Sequence, residues 1–159
     1  MVVHEARKVV LAEIILTTYC HATEDCNKVR QAILNIIPRD LASSISISET
    51  VMKGYYGNPI IVIEARLKEE EALKALKYMA SILSELDKRY IVNSFELRYD
   101  KKTNKVFIRI DKQGAYLGKP VVAEGDDVVK ITLSFSMRRS AEDVKKFLEE
   151  VFFDQAAKS

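Results

Sequence analysis

Three resources of enzyme chemistry are scarce in this chain. There are two histidines, two cysteines and five glycines among 159 residues. A nucleophile needs a base within reach, so His4 and His21 limit that chemistry from the start. His4 lies in a terminus expected to be loose. His21 follows Cys20, and neighbours along a strand point to opposite faces, which makes a poor Cys–His dyad. Gly54, Gly57, Gly114, Gly118 and Gly125 fit neither the phosphate-loop nor the dinucleotide spacing. Neither sign of charge is in surplus. The net charge is +2, from 25 basic and 23 acidic residues, so an anion site must come from local clustering.

Cys20 and Cys26 have no partners at zinc spacing, and they read as reduced thiols of an intracellular protein with no disulfide between them. No apolar run reaches the roughly 18 residues that span a bilayer. The start, Met1 to Lys8, lacks a signal-type cleavage site, so a cytoplasmic protein with no membrane partner is expected. The carboxylate groups have plain accounts. Glu24/Asp25 and Glu69–Glu71 open helices, where the dipole favours them, and Asp126/Asp127 sit in a tight turn. No cofactor and no metal is expected.

Hydrophobic residues make up 48% of the chain, enough for a real core. One domain over residues 1–159 is expected, with 1–7 and 154–159 frayed. Lys8 to Tyr19 is rich in β-branched residues and reads as a strand, with Val10, Ala12, Ile14 and Leu16 on one face. Thr23 can cap a helix whose stripe is Val29, Ala32, Ile33 and Ile36, stopped by Pro38. Ser44 to Thr50 and Ile60 to Leu67 form a hairpin around a Gly/Tyr loop. Lys68 to Lys88 is one long helix with a stripe ending at Leu83 and Leu86.

Tyr90 to Tyr99 and Val106 to Ile110 are expected as a second hairpin. A short strand at Val121 to Ala123 and a longer one from Val129 to Met137 follow. Ser140-Ala-Glu-Asp143 resembles a capping box and opens a last helix buried through Val144, Phe147, Leu148 and Val151. This order predicts an α+β protein, a mostly antiparallel sheet with helices packed on one face, ferredoxin-like from residue 8 to about 99.

The stretch Phe107 to Lys119 departs from this economy. It starts as a strand, then offers Lys112, Gln113, Gly114, Tyr116, Gly118 and Lys119 in about nine residues, the kind of loop that carries function. A ring beside donors and cations suits single-stranded nucleic acid, where rings stack and cations meet phosphate. A ring that merely plugs the sheet edge is the plainer account. Lysines 101, 102 and 105 read as solvated turn residues. Arg109 differs, because it stands inside a strand opposite the Ile108/Ile110 face, and Arg138 and Arg139 add a further pair.

His21-Ala-Thr-Glu-Asp25 with Lys28-Val29 and Ala32, then Gly54-Tyr-Tyr-Gly-Asn-Pro-Ile60, then Arg109 to Gly118, occur in that order. Together they resemble an archaeal RNA-binding family described as predicted exosome subunits, with a ribosomal protein L5-like α+β domain. The resemblance runs from about residue 8 to 137. Gly114 stands where the family pattern has a small residue with a side chain, commonly Ala. The resemblance implies a non-catalytic RNA-binding protein, beside RNA-processing or translation machinery, with exosome or ribosomal proteins as partners.

The RNA-binding residues expected are His21, Lys28, Arg109, Lys112, Gln113, Tyr116 and Lys119, facing one shared surface. Arg109, Lys112 and Lys119 would meet phosphate, Gln113 would read a base edge and Tyr116 would stack. His21 would donate to phosphate or a 2′-hydroxyl. A second reading is a protein-interaction module with Tyr55, Tyr56 and Tyr116 as anchors, and a homodimer is compatible with either. A third, an enzyme acting on a small phosphorylated molecule, needs one pocket lined by Arg109 and Lys112.

Overall fold

In a computed structural model, residues 9–54, 56–136 and 140–154 are described. Strand β1 (Val10–His21) is the centre of the molecule. Its alternating residues Ile14, Leu16, Thr18 and Cys20 are all at most 1% exposed and face the helices. Leu11 is also buried, three residues before Ile14, because a bulge between Leu11 and Glu13 resets the alternation. The inward face of β1 therefore differs from the expected one at its first turn of the pleat.

Helix α1 (Cys26–Asn35) follows, capped by the Asp25 side chain, which accepts from the Asn27 amide. Asp25 takes the role expected of Thr23. A short α2 (Arg39–Ala42) starts just after Pro38. Strands β2 (Ile47–Lys53) and β3 (Pro59–Lys68) make the expected hairpin, and β3 pairs antiparallel with β1.

The expected long helix is two helices. α3 (Glu69–Ile82) ends at Leu83, whose backbone is extended, and Ser84 caps α4 (Glu85–Asn93) by accepting from the Asp87 amide. The break turns Leu86 out to 78% exposure, although it continues the apolar stripe of α3 in sequence. The expected strand Tyr90 to Tyr99 is also mostly helix, completed by α5 (Phe95–Arg98); only Tyr99–Asp100 is strand, as β4. Ile91 and Phe95 are buried four residues apart, a helical spacing that the aromatic and β-branched content masked.

β5 (Lys105–Asp111) runs into a helical turn, α6 (Lys112–Tyr116), and β6 (Val128–Ser136) closes the sheet against β1. Val122 makes a single bridge to Ile110 where a short strand is expected. Ser140 and Asp143 form the capping box of α7 (Ala141–Phe153). The ends at 1–8 and 155–159, together with Tyr55, Met137, Arg138 and Arg139, lie outside the described residues.

The sheet order is β2-β3-β1-β6-β5-β4, with antiparallel pairing throughout. The fold is α+β, as expected. β6 takes the place beside β1 that a ferredoxin-like order gives its last strand. One face packs Ile63, Ala65, Ile108, Ile110, Ile131 and Leu133 against the buried stripes of α1, α3 and α7. The other carries Glu64, Arg66, Thr17, Tyr19, Lys130, Phe107 and Arg109, and Tyr19 is 43% exposed there. No helix among the described residues is long and apolar enough to cross a membrane.

Candidate nucleic-acid interface

The turn from β1 into α1 is where the distant motifs meet. His21 pairs with Ile60 in the sheet, and residues 21–23 share a shallow concavity of about 280 Å³ with Gly54, Tyr56, Asn58 and Pro59. On the other side of the same turn, Glu24, Asp25, Lys28 and Val29 share a cleft of about 190 Å³ with Lys112, Gln113, Tyr116 and Asp127. Residues 21–25 thus stand between Gly54 with residues 56–60 on one side and the 111–118 turn on the other, at one end of the sheet.

Local chemistry explains the shape of α6. Asp111 accepts from the Gly114 amide at 2.8 Å and starts the turn. Gly118, at φ +76, ends it in a conformation that suits glycine. Asn35, the last residue of α1, donates its side-chain amide to the carbonyls of Ala115 at 3.0 Å and Tyr116 at 2.9 Å. At Gly114 the backbone approaches closely. A Cβ there would sit 2.8 Å from the Lys119 carbonyl oxygen, so the alanine of the family pattern does not fit this geometry without a shift.

The expected site residues divide. Lys28 and Gln113 are exposed, and the Lys28 ammonium stands 5.7 Å from the centre of the half-buried Tyr116 ring, a cation–π arrangement. His21 is exposed at the rim, and Lys119 is exposed beyond the turn, its amide donating to Gly114. Lys112 is different. Its side chain is 7% exposed, and its ammonium lies 2.8 Å from the Tyr19 carbonyl, 3.0 Å from both Glu24 oxygens and 2.8 Å from Asp127. A lysine expected on the surface as a phosphate contact is thus enclosed by protein oxygens, its three donors already matched.

Arg109 is also apart from this cleft. It points to the other face of the sheet, where a concavity of about 330 Å³ is lined by Arg109, Arg98, Lys130, Phe107, Tyr90 and Glu124 among others. Arg109 and Lys112 therefore line separate clefts, which removes the shared pocket that the small-molecule enzyme reading needs. Sequence reasoning did not single out Arg98, Lys130 or Tyr90 for this place. Lys130 was legible as an outward residue of an alternating strand, but its register opposite Arg109 was not. Tyr90 donates to Glu124 at 2.9 Å, and that carboxylate holds the phenol above its ordinary pKa.

The cysteines depart from expectation too. Cys20, at the end of β1, and Cys26, at the start of α1, form a disulfide across the 21–25 turn. Two thiols six residues apart in sequence are brought to a Cα separation of 5.6 Å because the turn reverses the chain. Among the described residues no group of three or more His, Cys, Asp or Glu is placed to hold a metal ion.

A family model described as RNA binding matches residues 13–135. The chain belongs to this RNA-binding family. An RNA-binding protein of Pyrococcus abyssi is 34% identical over 151 residues, covering 91% of this chain and 97% of the relative. An uncharacterised protein of Methanocaldococcus jannaschii is 33% identical, over 87% of this chain and 95% of its own length. Among solved structures, a DUF54 protein of Archaeoglobus fulgidus superposes with a TM-score of 0.76 at 32% identity, covering 91% of this chain and 99% of that one. One from Sulfolobus solfataricus gives 0.74 at 26% identity, over 88% and 96%. The family match stops at residue 135, so α7 lies beyond it, just as it lies beyond the three motifs between residues 21 and 118.

Proposed function

We propose that this protein binds RNA without a catalytic step of its own, through the end of the sheet where residues 21–28, Gly54, 56–60 and 111–119 lie. The observation that carries the reading is that the 21–28 segment adjoins both other motifs, one on each side, and that on one side it meets a half-buried ring, Tyr116, with exposed Gln113 and Lys28 beside it. Tyr116 stacks on a base, with Lys28 standing next to that base. Gln113 reads a base edge. Lys119 and Lys28 meet phosphate, and His21 donates to phosphate or a 2′-hydroxyl. Lys112 holds the turn rather than the ligand. Support also comes from the family, and from the Pyrococcus abyssi relative that carries the name RNA-binding protein.

The test is binding of a single-stranded RNA oligonucleotide by wild type and Tyr116→Ala across a salt series. Loss of one stacked base costs about 1–3 kcal/mol and leaves the salt slope unchanged. Wild-type binding with no salt dependence would remove the phosphate assignments.

The finer reading places this contact in an RNA-processing assembly such as the exosome, or in translation machinery. A second reading, a protein-interaction module, is favoured by one observation. The β2–β3 hairpin exposes Val51 at 70%, Met52 at 48% and Tyr56 at 88%. A pull-down with and without nuclease separates the two, because a partner retained after RNA digestion is held by protein contact.

A further inference from the structure

The end cleft is poorly charged for phosphate. Its lining includes two cations, Lys28 and Lys112, against three carboxylates, Glu24, Asp25 and Asp127. The cleft on the outer face of β5 and β6 has the opposite balance, with Arg98, Arg109 and Lys130 against Glu124 alone. Arg109 and Lys130 are directly opposite each other across the strand pair. Like charges in that relation repel, and neither meets a carboxylate among the described residues.

The remaining contacts keep these cations in place around aromatic walls. The Lys130 ammonium lies 4.7 Å from the Phe107 ring centre, and the Arg98 guanidinium lies 5.2 Å from that of Tyr90. Arg98 is 8% exposed and is fixed by the Ser94 hydroxyl at 2.8 Å and the Phe107 carbonyl at 3.4 Å. Its guanidinium also lies 3.5 Å from Glu124, so that carboxylate is engaged with Arg98, and Arg109 and Lys130 carry the positive potential of the cleft.

We propose that this outer-face cleft holds a backbone phosphate of the bound RNA, as a second contact point separate from the Tyr116 end. The proposal rests on the RNA-binding reading and gives it a direction. Arg109 lies three residues from Lys112 along the chain, roughly 10 Å in an extended strand. Tyr19 is exposed on the same outer face near the end of β1, and its carbonyl accepts from the Lys112 ammonium. A single strand leaving the Tyr116 end crosses this face past Tyr19 to reach Arg109 and Lys130. The phosphate offsets the repulsion between the two cations, and Phe107 and Tyr90 present ring surface to the adjoining sugar or base.

The experiment measures binding of a single-stranded RNA oligonucleotide against salt for wild type, for Arg109→Gln with Lys130→Gln, and for Arg109→Lys with Lys130→Arg. Two lost phosphate contacts lower the slope of log affinity on log salt by about 1.4 and weaken binding roughly 25-fold at 0.1 M salt. The charge-keeping pair retains the wild-type slope and shows that the fold tolerates change at both positions. A wild type that binds with a salt slope left unchanged by the glutamine pair overturns this site and leaves the Tyr116 end standing. Weaker binding of the glutamine pair at unchanged slope overturns it as well. A wild type that binds no RNA overturns the functional reading and this site with it.

Discussion

Replacing Lys112 by Met decides whether this side chain serves the fold or the ligand. Met keeps the apolar stem and removes the ammonium. The Tyr19 carbonyl then loses a charged donor at 2.8 Å, and Glu24 loses one 3.0 Å from both of its oxygens. Breaking a fully buried pair costs about 3–5 kcal/mol. The value here is smaller, because the Glu24 side chain is 29% exposed and that of Asp127 is 74% exposed. Asp127 returns to water at little cost. What remains is a hydrogen bond from a charged group to Tyr19 and a partly stranded Glu24, about 2–3 kcal/mol together.

For a chain of this size that lowers Tm by roughly 5–10 °C, readable by thermal unfolding followed by circular dichroism. The same variant, assayed with RNA well below its Tm, keeps the wild-type salt slope. The reasoning fails if Tm is unchanged while the salt slope falls by about 0.7, the signature of one lost contact to a single strand. Lys112 would then be a phosphate contact despite its surroundings.

Gly114→Ala sets two effects against each other. Alanine gains about 1 kcal/mol of helix propensity, but its Cβ meets the Lys119 carbonyl at 2.8 Å, and overpacking costs about 1–3 kcal/mol. Net destabilisation is expected in denaturant unfolding, with faster exchange of the Lys119 amide; a more stable variant contradicts the geometry. Reducing the Cys20–Cys26 disulfide frees a short loop, worth about 2 kcal/mol, so a reductant should lower Tm by roughly 4–8 °C, and Cys20→Ser should abolish that sensitivity. Burial, and then the Asp100 charge, raise the pKa of Tyr99. A raised acid group stabilises the fold fully below its unfolded pKa near 10 and less as pH rises through the folded value. Alkaline unfolding curves of Tyr99→Phe should lack this component.

Periodicity carried most of the fold. β5, β6 and α7 are regular enough that alternation or helical spacing locates them, β3 shows as a near-continuous apolar run after Asn58-Pro59, and Ser140 with Asp143 marks the start of α7. It failed where two signals competed. From Tyr90 to Tyr99 residue content favoured strand where the chain is mostly helix, and Ser84 with Asp87 three residues on was a second helix start that the leucine stripe of one long helix concealed. The bulge at Leu11 is a matter of register against β6 and leaves no trace in the residues.

The site was legible in part for a similar reason. Exposure of Gln113 and Lys28 follows from local pattern. Enclosure of Lys112 depends on Glu24, 88 positions away, and on Asp127. Separation of Arg109 from Lys112 follows from their odd spacing, since residues three apart along a strand already face opposite sides of the sheet, and the helical turn after Asp111 leaves Lys112 on the inner side. The disulfide depended on how tightly residues 21–25 turn, which the spacing of the two cysteines does not state.

Asn35 has a consequence beyond its two hydrogen bonds. It sits at the C-terminal end of α1 and grips the backbone of Ala115 and Tyr116, while Lys28, two turns earlier on the same helix, leans over the Tyr116 ring. The aromatic turn is therefore clasped along the length of a helix whose other side, through Val29, Ala32 and Ile33, is seated in the interior. Such a turn cannot swing open unless the helix lifts with it. An arriving strand meets a surface already in its final shape, so association should proceed in one kinetic phase at a rate set by encounter rather than by rearrangement.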